Sequence, residues 1–173
     1  MKGAKNILGF LAFGIPFLFV ISCAKLEINN ATTNTNDKSL KLVYIISNNI
    51  KFYDFGILAT SPELTLEIFK AGKSIGKFSI KNREICFLDQ CAPKWPATKS
   101  FFGPVSYDNL FEDILLRNDI FEGIGKRILD KDTIIQNFTY GGEKIYYERN
   151  IEGTYFKNKT NGVTISIKDY KNE

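Results

Sequence analysis

From Leu40 onward the chain alternates short apolar runs with turn residues, and this spacing predicts strands more often than helices. Leu40–Ser47 and Ile50–Phe55 read as strands broken at Asn48-Asn49. Thr65–Phe69 and Ser74–Ile80 flank Lys70-Ala71-Gly72-Lys73, a hairpin signal. Leu64, Leu66 and Ile68 alternate with Thr65 and Glu67, and Phe78 and Ile80 with Lys77, Ser79 and Lys81. One face of that hairpin is expected to be buried and the other wet. Glu84–Leu88 predicts a further short strand. Near the C-terminus, Asp132–Tyr140 and Glu143–Arg149 meet at Gly141-Gly142, which suits a two-residue turn with positive φ. Gly153–Lys157 and Val163–Tyr170 are joined by a loop ending in Asn161-Gly162, and Val163, Ile165 and Ile167 share one face.

One segment departs from this rhythm. In Tyr107–Leu116 the residues Tyr107, Leu110, Phe111, Ile114 and Leu115 recur at three-and-four spacing, which predicts a helix with Ser106 as its cap. Its other side carries Asp108, Glu112 and Asp113, a charged surface rather than a catalytic carboxylate pair. A second short segment, Asp119–Gly123, leads into Ile124–Leu129. Residues 92–104 hold Pro93, Pro96, Pro104 and Gly103, and are expected to continue neither sheet nor helix. The fold expected is therefore mainly β: a single antiparallel, strongly curved sheet or unclosed barrel of about 8–11 strands. One or two short helices cover its apolar face, because strands that alternate in this way bury one side only.

The pattern at the N-terminus is different. An uncharged run from Ile7 to Ile21 follows Lys2 and Lys5 and closes on Val20-Ile21-Ser22-Cys23. Fifteen residues rise only about 22 Å as a helix, short of the roughly 30 Å hydrocarbon core, so the run suits export better than permanent spanning. It resembles a bacterial lipoprotein signal. The resemblance implies removal of residues 1–22 and a diacylglyceryl group on Cys23, whose thiolate is the nucleophile that accepts the lipid. Residues 24–39 are rich in Asn and Thr, and with Cys23 form a flexible tether, 23–39, to a single β-rich domain, 40–173. Ala24 is not the Asp that retains many lipoproteins in the inner membrane, which favours the outer membrane of a Gram-negative cell, with the domain facing the periplasm.

Charge and composition then narrow the chemistry. The formal net charge is +4, but Lys2 and Lys5 belong to the signal, leaving 21 basic against 19 acidic side chains, scattered rather than blocked. This gives no support to a nucleic-acid partner. The chain has no histidine, no G-x-S-x-G elbow and no phosphate loop, so neither an enzyme nor a cofactor or metal site is expected. Cys86 and Cys91, separated by four residues, read as a structural disulfide that staples a turn, worth roughly 2 kcal/mol. Free thiols or an active pair remain open, although C-x-x-C spacing and a second ligand pair are both missing.

The element order also resembles the periplasmic lipoprotein-localisation factors, LolA and LolB. It is carried by the hairpin Thr65–Ile80, the helical insert Tyr107–Phe121, and Gln136–Tyr170 with its Tyr-Gly-Gly turn. The cysteine loop and residues 92–104 are not part of that pattern. The resemblance implies an acyl-binding cavity beneath the helices and, for the lipid-anchored member LolB, a protruding apolar loop, for which Ile57-Leu58 is the candidate. Phe69, Phe78, Phe111, Phe121 and Trp95 are the expected pocket residues, because aromatics on inward faces can line an acyl cavity. Two functions compete: a lipid-anchored carrier or acceptor of acylated ligands, and a non-enzymatic scaffold in an outer-membrane assembly or secretion complex. The partners expected are the membrane, through the lipid, and acylated or other envelope proteins.

Overall fold

A computed structural model describes residues 37–48 and 50–171. The signal segment 1–22, Cys23 and the tether to residue 36 lie outside the described residues. Eleven strands form one antiparallel sheet in the order β6-β5-β4-β3-β2-β1-β11-β10-β9-β8-β7. In chain order these are β1 Lys38–Ser47, β2 Ile50–Ala59, β3 Leu64–Lys70, β4 Lys73–Ile80, β5 Glu84–Phe87 and β6 Gln90–Pro93. They are followed by β7 Lys126–Ile128, β8 Ile134–Tyr140, β9 Glu143–Asn150, β10 Gly153–Asn158 and β11 Thr164–Asp169. Among the described residues two α-helices, α1 Lys94–Phe102 and α2 Leu110–Leu116, and a 3-10 turn at Phe121–Gly123 interrupt the strands between β6 and β7. The sheet is unclosed, with β6 and β7 at its two edges, and one long-range pairing, β1 with β11, joins the halves of the chain.

The alternation in sequence becomes a division of faces. Leu64, Leu66, Ile68, Phe78, Ile80, Val43, Ile45, Ile165 and Ile167 are buried beneath the helices. Leu110, Phe111, Ile114 and Leu115 of α2 complete the same core. Gly141 and Gly142, at φ 54° and 83°, make the two-residue turn between β8 and β9. Gly153 is required for a different reason: a Cβ there would sit 2.1 Å from the Ile167 carbonyl oxygen.

Four expectations are corrected. Residues 92–104 contain a strand end and a helix, because Pro93 precedes α1 and Pro96 falls in its first turn, where no intrahelical N–H partner is needed. The helix then ends at Gly103, with Pro104 beyond it. The second helix starts at Leu110, not Tyr107; Ser106 Oγ donates to the Gly103 carbonyl rather than capping it, and Asn109 is the residue before the first turn. Ile57-Leu58 lies within β2, paired with β1 and β3, so it forms no protruding loop. The sheet begins at Lys38, taking two residues from the expected tether.

Candidate functional site

The first helix does not seal the sheet beneath it. Between α1, the start of α2 and the β4–β5 end of the sheet lies a groove of about 480 Å³. Its apolar walls are Ile50 from β2, Phe78 from β4, Ile85 and Phe87 from β5, Phe101 from α1 and Phe111 from α2. The volume falls within the span of small-molecule sites. Phe78 packs edge to face against Phe111 at 5.0 Å and Phe101 at 6.2 Å, and lies tilted against Phe87 at 4.9 Å, between centroids. No ionisable side chain is among its lining residues. Two of its polar side chains are engaged within the protein: Ser47 Oγ donates to the Phe101 carbonyl at 2.5 Å and Thr98 Oγ1 to the Lys94 carbonyl at 2.8 Å. With neither a base nor a nucleophile–base pair at hand, such a surface can hold an apolar body but offers no proton transfer.

The larger cleft on the same edge, about 810 Å³, is lined by Glu63, Lys81, Arg83, Glu84, Lys94 and Glu112 among others. Lys94 donates to Glu112 at 2.6 Å and to Asn109 at 2.9 Å, anchoring α1 to α2. A surface so rich in charged groups suits water, not an alkyl chain.

At the other end of the helical layer a cavity of about 490 Å³ is framed by Tyr107, Phe121, Tyr140, Asp113 and Asp119. Tyr107 donates to Asp113 at 2.8 Å, and burial together with that carboxylate pushes its hydroxyl pKa far up. Burial pushes Asp119 up, but hydrogen bonds from Lys126 at 2.6 Å and Arg149 at 2.7 Å outweigh it and hold the carboxyl below its usual range. Every one of these groups answers a neighbour, so the cluster reads as a clasp.

Of the expected pocket residues, Phe78 and Phe111 meet in the aromatic groove. Phe121 does not join them: it packs 4.9 Å from Tyr107 in the distant cavity. Trp95 stands 44% exposed on α1 with the Lys99 ammonium 5.9 Å from its ring, and lines none of the three cavities. Phe69 is on the opposite face of the sheet, because it follows Ile68 by one residue and pairs with the outward Phe55. Phe101 and Phe102, aromatics of the proline-rich segment 92–104 that could line or guard an apolar pocket, do line the groove, whereas Ile85 and Phe87 went unpredicted. The i, i+2 spacing of Ile85 and Phe87 was the available signal for these two.

Cys86 and Cys91 face each other across the β5–β6 hairpin, and their sulfurs lie 1.99 Å apart, at disulfide distance. Glu84 is nearby, but sulfurs shared in one bond offer no thiolate to a metal. Among the described residues no helix is long and apolar enough to cross a membrane. No protein-family model and no curated protein sequence matches this chain.

Proposed function

We propose that this chain is a lipid-anchored envelope lipoprotein whose domain binds an acyl chain or another hydrophobic ligand, as an acceptor or carrier similar to LolB. The observation that carries the reading is the aromatic groove with no ionisable lining. Each methylene transferred into it from water contributes roughly 0.8 kcal/mol, so an alkyl chain gains affinity from a surface that a charged metabolite does not. The signal-like N-terminus and the absence of histidine from the whole chain support a binding role at a membrane over catalysis.

Curvature of the sheet belongs to the same reading. Phe78 on β4 connects to Phe156 on β10 through Phe111 and Phe102 by ring-to-ring steps of 5.0, 6.0 and 5.4 Å. Those strands are five positions apart in the sheet, about 24 Å if it were flat. A sheet that curls toward its helices brings these rings within reach and leaves a hollow at the open side, as in an unclosed barrel.

The test uses the mature lipoprotein and a fluorescent fatty-acid probe, with mass spectrometry of co-purifying lipids. Saturable probe uptake is expected, and Ala97→Trp, which fills the groove from α1, is expected to abolish it without unfolding the chain. A folded protein that carries no acylated species and takes up no probe overturns the carrier reading. Radioactive palmitate reports separately on Cys23: label is expected in the parent chain and absent from Cys23→Ser.

A further inference from the structure

The face of the sheet turned away from the helices is not uniform. On β9 and β10 it is polar: Tyr146 donates to Glu148 at 2.7 Å and stacks 6.0 Å from Tyr155, amid Lys144 and Lys157. On β1 and β2 it is apolar. Register places Leu40 opposite Ile57, Leu42 opposite Phe55 and Tyr44 opposite Tyr53. Phe69 continues the row beyond Phe55, and Tyr170 closes it, its ring 5.2 Å from Phe55 and its N–H donating to the Leu40 carbonyl. Tyr53 is 78% exposed, while Leu40, Leu42, Phe55 and Tyr170 are between 40% and 45% exposed. These side chains form one contiguous surface, unlike the single exposed apolar residues any soluble protein carries.

We propose that this apolar face lies against the lipid surface to which the chain is anchored. The inference rests on the anchor assigned above to Cys23, and three observations select a bilayer as occupant. First, thirteen residues separate Cys23 from Asp37, so the sulfur is held within about 50 Å of the sheet even at full extension. The chain enters the sheet at Lys38, two residues before Leu40, so the tether joins the domain through the strand that carries the apolar face. Second, the face is rimmed by lysines: Lys38 begins β1 on this side, Lys51 is opposite Ile46 and Lys168 is opposite Leu42. None of the three makes an ion pair among the described residues. The bordering carboxylate, Glu67, is matched in register with Lys77. Third, Tyr44, Tyr53 and Tyr170 belong to the apolar set, and tyrosine, with an apolar ring and a polar tip, is enriched at membrane–water interfaces. Lysines around such rings keep their ammonium groups at anionic headgroups while their stems cover apolar surface. Tethering raises the effective concentration of the face at the membrane, so a patch too weak to bind alone suffices. The aromatic groove, on the other face, stays open to the aqueous side.

The test places a fluorescent residue on each face of the full lipidated chain, reconstituted into vesicles of phosphatidylethanolamine and phosphatidylglycerol with brominated acyl chains. In a Trp95→Phe background, Tyr53→Trp is expected to lose most of its emission to the bromolipid. The parent Trp95, on the helical side, is expected to keep its emission. Leu42→Glu, also on the outward face, is expected to restore the emission at position 53. Equal emission from Tyr53→Trp in brominated and plain vesicles, with the protein floating among them, overturns this inference alone. Protection of Tyr53→Trp that appears only as protein concentration rises identifies a second copy as occupant and overturns it as well. A chain that carries no acyl group and does not float removes the anchor and this inference together.

Discussion

The two ends of the helical layer are held to the sheet by different forces. At the α1 end Phe78, Phe101, Phe102 and Phe111 interlock through rings 4.9 to 6.2 Å apart, and a groove remains between them. At the other end the segment after α2 is tied by directional bonds. Gln136, fully buried, accepts from the Ile120 N–H at 2.8 Å and donates to the carbonyls of Ile120 at 2.7 Å and Ile124 at 3.0 Å. Asp119 receives Arg149 and Lys126, and Tyr107 bridges Asp113 and the Phe121 N–H. A buried hydrogen bond has one good geometry, whereas apolar contact tolerates sliding and rotation. Adaptation to a ligand therefore belongs to the aromatic end, and the polar clasp fixes the frame against which it adapts.

Truncation at the aromatic end breaks the comparison most severely. Phe111→Ala removes a buried ring that packs against three others, and is expected to cost about 3–5 kcal/mol in denaturant unfolding. It also widens the groove, so fatty-acid probe affinity shifts with it. Gln136→Leu leaves the Ile120 N–H buried without a partner and is expected to cost about 2–3 kcal/mol. Here stability falls but probe uptake by the folded fraction stays at the parent value. Equal effects of both substitutions on uptake would mean the two ends act as one unit.

The smallest expected effect is alkaline. Burial holds the Tyr147 hydroxyl pKa well above its ordinary value, and burial with Asp113 does the same for Tyr107. A raised native pKa contributes stability that is complete below the unfolded value near pH 10 and fades as pH climbs through the native one. At pH 11 the loss attributable to Tyr147 is about 1 kcal/mol, with a smaller share from the partly exposed Tyr107. Tyr147→Phe is expected to flatten this part of the stability–pH curve. It should change little at neutral pH, because the hydroxyl has no hydrogen-bond partner to lose.

Most strands were legible because alternation of apolar and polar positions is itself the physics of a half-buried strand. The pairs Leu66 with Phe78 and Ile45 with Ile165 follow from it once neighbours are known. The helix in 94–102 was hidden because a proline count cannot tell a first-turn position from an interior one. Of the groove, Phe78 and Phe111 were readable from their own periodicity, whereas Trp95 and Phe69 were misplaced for want of a face assignment.

By itself the sequence determined, through its alternating apolar positions, that the domain is built mainly of strands, and that the chain has no histidine for acid–base work. The tertiary structure alone decided which apolar side chains join Phe78 and Phe111 in one hollow, since Ile50, Phe87 and Phe101 come from three further elements. It also left an apolar face uncovered on β1 and β2. The physical reason is range. Periodicity reports which side of one element avoids water, while a cavity or a patch depends on how distant elements are brought together, and that is fixed by pairings such as β1 with β11 across more than a hundred residues.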